Sequence, residues 1–257
     1  MTDSQRIRFL STTLIIGFFL MWEVLCIMLN VSDLVLPRPS EILVTLWTRF
    51  PVLWPHILQT LYSTLFGFSL GVIIGVTIGV LVGTSKIAYA VAYPLLVGFS
   101  SIPKVAVVPI FVLWFGSGTT PAVLTAMVIC VFPIVVNIAT GLATTEPELE
   151  DVLKTLGASK TEILWNVGLP RAMPYFFASL KVAITLSFVG AVLSETVASN
   201  MGIGNVMMTA SSNFQVSLVI AGLIILALMG VALYAVFSFL ESRVTGWATR
   251  GNDIAVT

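Results

Sequence analysis

Long apolar runs with few charged residues recur along the chain, and each is long enough to cross a lipid bilayer. A transmembrane helix needs about 20 consecutive apolar residues. The runs predict six such helices, over residues 10–29, 58–83, 87–115, 121–143, 174–197 and 214–240. We therefore expect an all-α polytopic membrane protein, organised as one transmembrane domain over residues 1–257.

The third predicted span is interrupted by prolines. Pro94, Pro103 and Pro109 fall within one apolar stretch, and each removes a backbone donor from the helix. Such breaks persist in lipid only where protein or a watery cavity satisfies the freed backbone groups. We expect this span to lie inside the bundle, near a pathway.

The low charge content agrees with the apolar runs. The chain is 58% hydrophobic and 9% charged, whereas soluble domains are about 25% charged. Its net charge is zero and no basic stripe is present, so binding to nucleic acid is not expected. Cys26 and Cys130 lie within apolar runs, and we interpret them as buried hydrophobic residues rather than as metal ligands or a disulfide. His56 is the single histidine, which is too few for a metal site, and we expect it at the membrane interface.

The basic residues predict the orientation of the chain. The first apolar run is too long for a signal peptide and lacks a small-x-small cleavage site, so we expect it to remain as a span. With the N-terminus inside, the inner segments carry Arg6, Arg8, Lys86, Lys154, Lys160, Arg171, Arg243 and Arg250, and the outer segments carry Arg38 and Arg49. Lysine and arginine concentrate in cytoplasmic loops. Both termini are therefore predicted to be cytoplasmic.

Five glycines repeat at a spacing of four residues in the second span. This spacing places Gly67, Gly71, Gly75, Gly79 and Gly83 on one stripe of a helix. Small residues let another membrane helix approach closely. The stripe indicates either packing within the chain, which we favour, or a moving or dimerising interface.

The longest polar segment, residues 144–170, is predicted to form two short cytoplasmic helices. Thr145 and Glu148 form a capping box, and Leu149, Val152, Leu153 and Leu156 follow as one apolar stripe. Gly157 stands where a helix C-terminus favours a left-handed residue. Ser159 and Glu162 form a second capping box, and the second helix is expected to stop before Pro170.

A short amphipathic helix in this position has three explanations. It could lie on the membrane surface, pack against its own bundle, or bind a groove on a soluble partner. Helices that lie on anionic lipid favour lysine and arginine on the polar face. This helix carries mainly acidic residues there, namely Glu148, Glu150 and Asp151, which argues against lipid and leaves the other two explanations open.

The segment resembles the EAA loop of binding-protein-dependent ABC permeases. The similarity runs through Glu148-Leu149-Glu150-Asp151-Val152-Leu153-Lys154-Thr155-Leu156-Gly157-Ala158-Ser159-Lys160, Val167-Gly168-Leu169-Pro170 and Met173-Pro174. The family's Glu-Ala-Ala aligns with Asp151-Val152-Leu153, so the acid is kept and the two small residues are bulkier. Stretches at 36–41, 101–109, 113–116, 194–195 and 202–204 are similar to the nitrate, sulfonate and taurine branch of that family.

The resemblance implies a type I ABC importer permease fold and a set of partners. Two ATPase subunits, a soluble substrate-binding protein outside and a second permease copy are implied, in the bacterial inner membrane. The implied ATPase-coupling residues are Leu149, Asp151, Val152, Leu153, Leu156, Gly157, Ala158 and Ser159. The chain has no glycine-rich phosphate loop, so ATP and Mg²⁺ are expected on the ATPase and no enzymatic activity is expected here. The implied cargo is a small anionic or aromatic/heterocyclic solute.

Polar residues within the spans are candidates for the pathway. These are Lys104, Asn137 and Glu195. Lys104 could attract an anion, satisfy carbonyls freed by the nearby prolines, or extend toward an interface. Glu195 could pair with Lys104 or Lys181, or cap a helix end. A secondary transporter or channel that works alone is the alternative function, although the chain shows no internal repeat of the kind such transporters carry.

Overall fold

The computed structural model describes residues 3–144 and 147–244, which form helices and no strand. The long helices are α1 (Asp3–Met28), α2 (Pro39–Gly83), α3 (Lys86–Ser100), α4 (Val108–Phe115) and α5 (Thr119–Ala143). They are followed by α6 (Pro147–Thr155), α7 (Lys160–Ile163), α8 (Leu169–Ala198), α9 (Ile203–Ser212) and α10 (Val216–Val244). A 3₁₀ turn (Lys104–Val107) precedes α4, and a π turn (Leu164–Gly168) precedes α8.

In this part of the chain, five helical stretches are long and apolar enough to cross a membrane. They contain α1, α2, α5, α8 and α10. A sixth span is formed if α3 and the stretch Lys104–Phe115 count as one, with a bend of 77° between them. The fold class is therefore as predicted, and the third span is broken just before Lys104, next to Pro103.

The second helix begins much earlier than predicted. The sequence analysis started it at residue 58, but α2 begins at Pro39, and it contains both Pro51 and Pro55. Its first turn is capped by Glu23 of α1, whose carboxylate accepts hydrogen bonds from the backbone N–H of Ser40 at 3.0 Å and from its hydroxyl at 2.7 Å. This contact satisfies one of the orphan backbone donors at the helix start, in agreement with a helix that begins at Pro39.

The second helix of the polar segment also differs from the prediction. It was expected to stop before Pro170, but the chain stays helical from Thr161 to Ala198. The π turn closes with a hydrogen bond from the Leu169 N–H to the Leu164 carbonyl, and Pro170 then lies in the first turn of α8. Proline is tolerated at that position because the first N–H groups of a helix have no partner in the preceding turn.

The glycine stripe of α2 packs against α5. A methyl group added at Gly67 would lie 2.6 Å from Cβ of Ala126, and one added at Gly75 would lie 2.8 Å from Cβ of Ile134. Gly71, Gly79 and Gly83 face Cys130, Ile138 and Leu142 in the same way. The stripe therefore serves packing within the chain, as favoured above.

The core lies where α5 packs between α2 and α8. Ile134 of α5 and Ala183 and Ile184 of α8 are fully buried there. The side chains of the helices farther from this contact are more exposed. Most described side chains of α1 are exposed, and α3 contains no buried residue. The core thus fixes α5 and α8 at the two ends of the polar segment that joins them.

Candidate coupling segment and solute cavity

The polar segment forms a short helical hairpin whose turn depends on Gly157. The Gly157 N–H donates to the Lys154 carbonyl and the Ala158 N–H donates to the Leu153 carbonyl, both at 3.0 Å. This pair of bonds is a Schellman motif, which needs a left-handed residue after the helix. Gly157 has φ +84°, with open space around it. The sequence prediction of a left-handed turn is confirmed by this geometry.

A capping box starts the second helix of the hairpin, as predicted. The Glu162 carboxylate accepts hydrogen bonds at 2.7 Å from both the backbone N–H and the hydroxyl of Ser159. In return, the Ser159 hydroxyl accepts the Glu162 N–H at 3.3 Å. The predicted capping box of Thr145 and Glu148 and the side chain of Leu149 lie outside the described residues.

The apolar stripe of α6 faces away from the protein. Val152 is 57% exposed and Leu156 is 78% exposed, while Leu153 and Ala158 are half-buried. Asp151 is exposed beside them and pairs with Lys154 at 3.1 Å. Packing against its own bundle, one of the two explanations left open, therefore does not account for Val152 and Leu156. An exposed apolar stripe on a rigid hairpin suits a groove on another protein.

A cavity of about 490 Å³ lies between the broken third span, α5 and α8. Lys104 and Asn137, two of the predicted pathway residues, line it together with Ser100, Phe132 and Pro133. The other lining residues are aliphatic: Val105, Ile129, Val136, Leu186, Val189 and Leu193. This volume lies within the range of small-molecule sites.

The Lys104 ammonium makes two contacts at this cavity. Its Nζ donates to the Ser100 carbonyl at 2.7 Å and lies 5.2 Å from the centre of the Phe132 ring. The first contact matches the explanation that Lys104 satisfies a backbone carbonyl freed at the break. The second contact is a cation–π interaction. Asn137 donates one amide hydrogen to the Pro133 carbonyl at 2.8 Å.

Glu195 lies apart from this cavity and caps a helix end. It is 1% exposed, and its Oε2 accepts hydrogen bonds from the Thr60 hydroxyl at 2.8 Å and from the Gly204 N–H, near the start of α9, at 3.2 Å. The alternative ion pairs are not formed, since Lys104 contacts the Ser100 carbonyl and the Phe132 ring and Lys181 pairs with Glu241. The capping explanation is the one that matches the geometry.

Three residues of these sites were missed by the sequence analysis. His56 lies within α2 rather than before it, and its Nδ1 accepts the Gly202 N–H at 3.1 Å. Thr60 also accepts the Ile203 N–H at 2.9 Å. Ser63 lies four residues before Gly67 and is fully buried, so the small-residue stripe could have been followed back toward Thr60. No feature of the sequence distinguished Phe132 from the many other apolar residues of α5.

Residues 67–246 match the family model described as the binding-protein-dependent transport system inner membrane component. The chain belongs to this family. The match includes the polar hairpin, the cavity and Glu195. As a member of the binding-protein-dependent permeases, the chain is a multi-pass inner-membrane ABC importer permease that works with ATPase subunits. A secondary transporter or channel that works alone is therefore not favoured.

Curated permeases are similar over most of this permease. A probable ABC transporter permease protein of Haemophilus influenzae is 33% identical over 93% of this chain and 98% of its own length. The riboflavin transport system permease protein RibX of Chloroflexus aurantiacus is 35% identical over 83% of this chain and 80% of its own. The taurine transport system permease protein TauC of Escherichia coli is 25% identical over 95% and 91%. The predicted branch of the family is confirmed.

The fold is also that of a solved importer. The permease resembles a chain of the MetNI methionine ABC transporter in an inward-facing conformation, with a TM-score of 0.60. The similarity covers 77% of this permease and 97% of that chain at 19% identity. The likeness identifies the type I importer permease fold and nothing about the cargo.

Proposed function

We propose that this permease forms the solute pathway of an ATP-driven importer and that its polar hairpin, residues 144–170, transmits ATPase movement to that pathway. The cargo is a small anionic or aromatic/heterocyclic solute. Riboflavin and taurine, named for two relatives, are examples of an aromatic heterocycle and a small sulfonate.

The observation that carries the proposal is the exposed stripe on α6. Val152 and Leu156 are apolar, and they project from a hairpin that a Schellman motif and a capping box hold in one shape. A surface of this kind is stabilised when a partner groove covers it, because about 25 cal/mol is gained for each Å² of apolar surface removed from water. We assign the partner as the ATPase, and Asp151 lies beside the stripe as a charged contact.

The assembly follows from one hairpin per chain. A paired ATPase presents two grooves, and a two-fold homodimer of this chain supplies two hairpins. The exposed apolar faces of α1 and α3 are surfaces that lipid or the second copy would cover. A soluble binding protein delivers the solute from outside, and the ATPase binds ATP and Mg²⁺.

Substitution of Gly157 tests the proposed coupling. A β-branched residue in the left-handed region costs about 1–2 kcal/mol or more, which is enough to disturb a helix as short as α6. We expect Gly157→Val to reach the membrane but to lose much of its co-purification with the ATPase or its coupled uptake. Asp151→Lys should act in the same direction, because it reverses a charge beside the stripe.

Two matched variants make this test specific. Asparagine tolerates the left-handed region, so Gly157→Asn should retain most ATPase association. Gly17→Val inserts the same side chain at another open position, in α1 and away from the hairpin, and should retain ATPase association. Full uptake and full ATPase association by Gly157→Val would contradict the proposal.

A further inference from the structure

We propose that the cavity beside the broken third span binds the solute during transport, and that it selects a small monoanion with an aromatic ring. Lys104, Phe132 and Asn137 would supply the selectivity. This inference rests on the proposed function, because it assigns a solute class to the pathway of the importer.

The charge of the solute follows from the cavity lining. Lys104 is its single ionisable residue, and no carboxylate lines it within the described residues. An anion is stabilised by the half-buried ammonium. A cation would be repelled, and a zwitterion such as taurine would bring an ammonium group into a cavity whose described lining holds no carboxylate to pair with it, which is costly in a low-dielectric site.

The nature of the uncharged part of the solute follows from the side chains that line the cavity. Aliphatic side chains from the 3₁₀ turn, α5 and α8 form most of the cavity surface. A solute therefore gains little binding free energy there unless it carries an apolar part. A bare inorganic anion such as nitrate would fill only a small part of about 490 Å³ and would leave the apolar walls without contact. The lining therefore favours an organic anion.

An aromatic ring is favoured by the position of Phe132. The Lys104 ammonium now lies 5.2 Å from the centre of this ring. A solute carboxylate would bind the ammonium more strongly than the ring does, because the pair is charge-assisted. The ring of the solute then takes the vacated position against Phe132, in the offset or edge geometry that aromatic pairs prefer.

Asn137 completes the site with a polar contact. Its amide has two donors and an acceptor oxygen, and among the residues that the structure describes one donor is used, toward the Pro133 carbonyl. The remaining donor suits a ring heteroatom. The combined lining of one ammonium, one amide and one phenyl ring thus fits a small heteroaromatic carboxylate better than the other solute classes considered.

The experiment measures binding to the complete permease–ATPase complex in nanodiscs, without the binding protein. Radiolabelled nicotinate is the probe, since it is a small heteroaromatic carboxylate. Nicotinamide, taurine and nitrate serve as competitors that lack the charge, carry an ammonium, or lack the ring. We expect saturable nicotinate binding, and competition by nicotinamide at least about tenfold weaker than by unlabelled nicotinate, as expected for loss of a hydrogen bond to a charged group. Taurine and nitrate should not compete at the same concentrations.

Matched variants assign the binding to the cavity. Lys104→Met should weaken nicotinate binding at least about tenfold and Lys104→Arg should retain most of it. Phe132→Leu should weaken binding about two- to tenfold through loss of the aromatic pair. The controls are Lys86→Met and Phe66→Leu, which alter an exposed lysine and an exposed phenylalanine outside the cavity and should bind like the wild type.

The inference is overturned if nicotinate does not bind, if nicotinamide, taurine or nitrate competes as well as nicotinate, or if Lys104→Met binds normally. None of these results would affect the proposed function. The wild-type chain would still co-purify with the ATPase and still respond to Gly157→Val.

Discussion

At the scale of single residues, Glu195 shows how a buried carboxyl group can hold a membrane protein together without an ion pair. Its Oε2 receives hydrogen bonds from Thr60 of α2 and Gly204 of α9, while its Oε1 has no hydrogen-bond partner within the described structure. Gly202 is packed so tightly against the same carboxyl group that an added methyl group would overlap it. Three helices are therefore joined at one side chain.

This geometry separates two substitutions of Glu195. Glu195→Gln keeps an acceptor oxygen for Thr60 and Gly204, so we expect thermal stability close to that of the wild type. Glu195→Ala leaves the Gly204 N–H buried without an acceptor, at a cost of about 1–3 kcal/mol. Thermal unfolding of the purified complex in detergent measures the stability of both variants.

An alternative role for Glu195 predicts a different pattern. If its negative charge, rather than its acceptor oxygen, is what the protein requires, Glu195→Gln should fall in stability or uptake as far as Glu195→Ala does. That result would remove the capping explanation, because a glutamine oxygen accepts the same two hydrogen bonds.

The residues that the sequence identified best are those whose chemistry is local. Gly157 and the Ser159–Glu162 capping box follow from backbone rules that act over a few positions, and the structure reproduces both. The partners of Glu195 were not predictable in this way. Thr60 is 135 residues away along the chain, and only the packing of α2 against α8 brings it near.

At the scale of elements, the contact between α2 and α5 leaves no room for added atoms. Gly71 faces the Cys130 sulfur so closely that an alanine side chain cannot fit without movement. Overpacking of this kind costs typically about 1–3 kcal/mol. We expect Gly71→Ala to lower the melting temperature of the purified complex.

A second-site change on α5 provides a sharp check on that contact. Cys130→Ala removes the sulfur that the new methyl group would meet, so Gly71→Ala/Cys130→Ala should recover part of the lost stability. Gly17→Ala is the control, since nothing lies within 4 Å of a methyl group at Gly17. Additive losses in the double variant would show that the two positions do not meet.

Helix boundaries were predicted less well than helix positions. The second span was predicted to start at residue 58 and the second helix of the polar segment to stop before Pro170, and both boundaries were wrong because the chain stays helical through them. The features found at these places, the Glu23 cap and the π turn, involve a contact between different helices and a change of hydrogen-bond pattern. Neither feature can be predicted from the local sequence.

At the scale of the whole molecule, the hairpin and the loop between α1 and α2 should lie on opposite sides of the membrane. Basic residues are concentrated in the segments predicted to be inside, and charged segments rarely cross a bilayer unaided. We expect Thr155→Cys to react with an impermeant maleimide only after the cells are permeabilised. Ser32→Cys should react in intact cells.

Native cysteines will interfere little with this labelling, because Cys26 and Cys130 are both buried. The unsubstituted chain provides the background. Labelling of Thr155→Cys from outside in intact cells would contradict the orientation, and with it the placement of an ATPase against α6.

The hydrophobic pattern was enough to predict the five spans and the bent sixth, and the prolines were enough to predict a break in the third predicted span. Both features can be read from the sequence without knowing which helices touch. The cavity could not be found this way, since it depends on the direction taken after a 77° bend and on which faces of α5 and α8 meet it.

The seam between α2 and α5 constrains how the protein can move. Glycines on α2 meet larger residues on α5, from Ala126 to Leu142, and both rows step by four residues. The next position of fit is four residues, or about 6 Å, away along the axis. The two helices are therefore expected to keep one register and not to slide along each other. Under the proposed coupling, a movement that reaches α5 at Ala143, the end nearest the hairpin, is expected to carry α2 along as one rigid body.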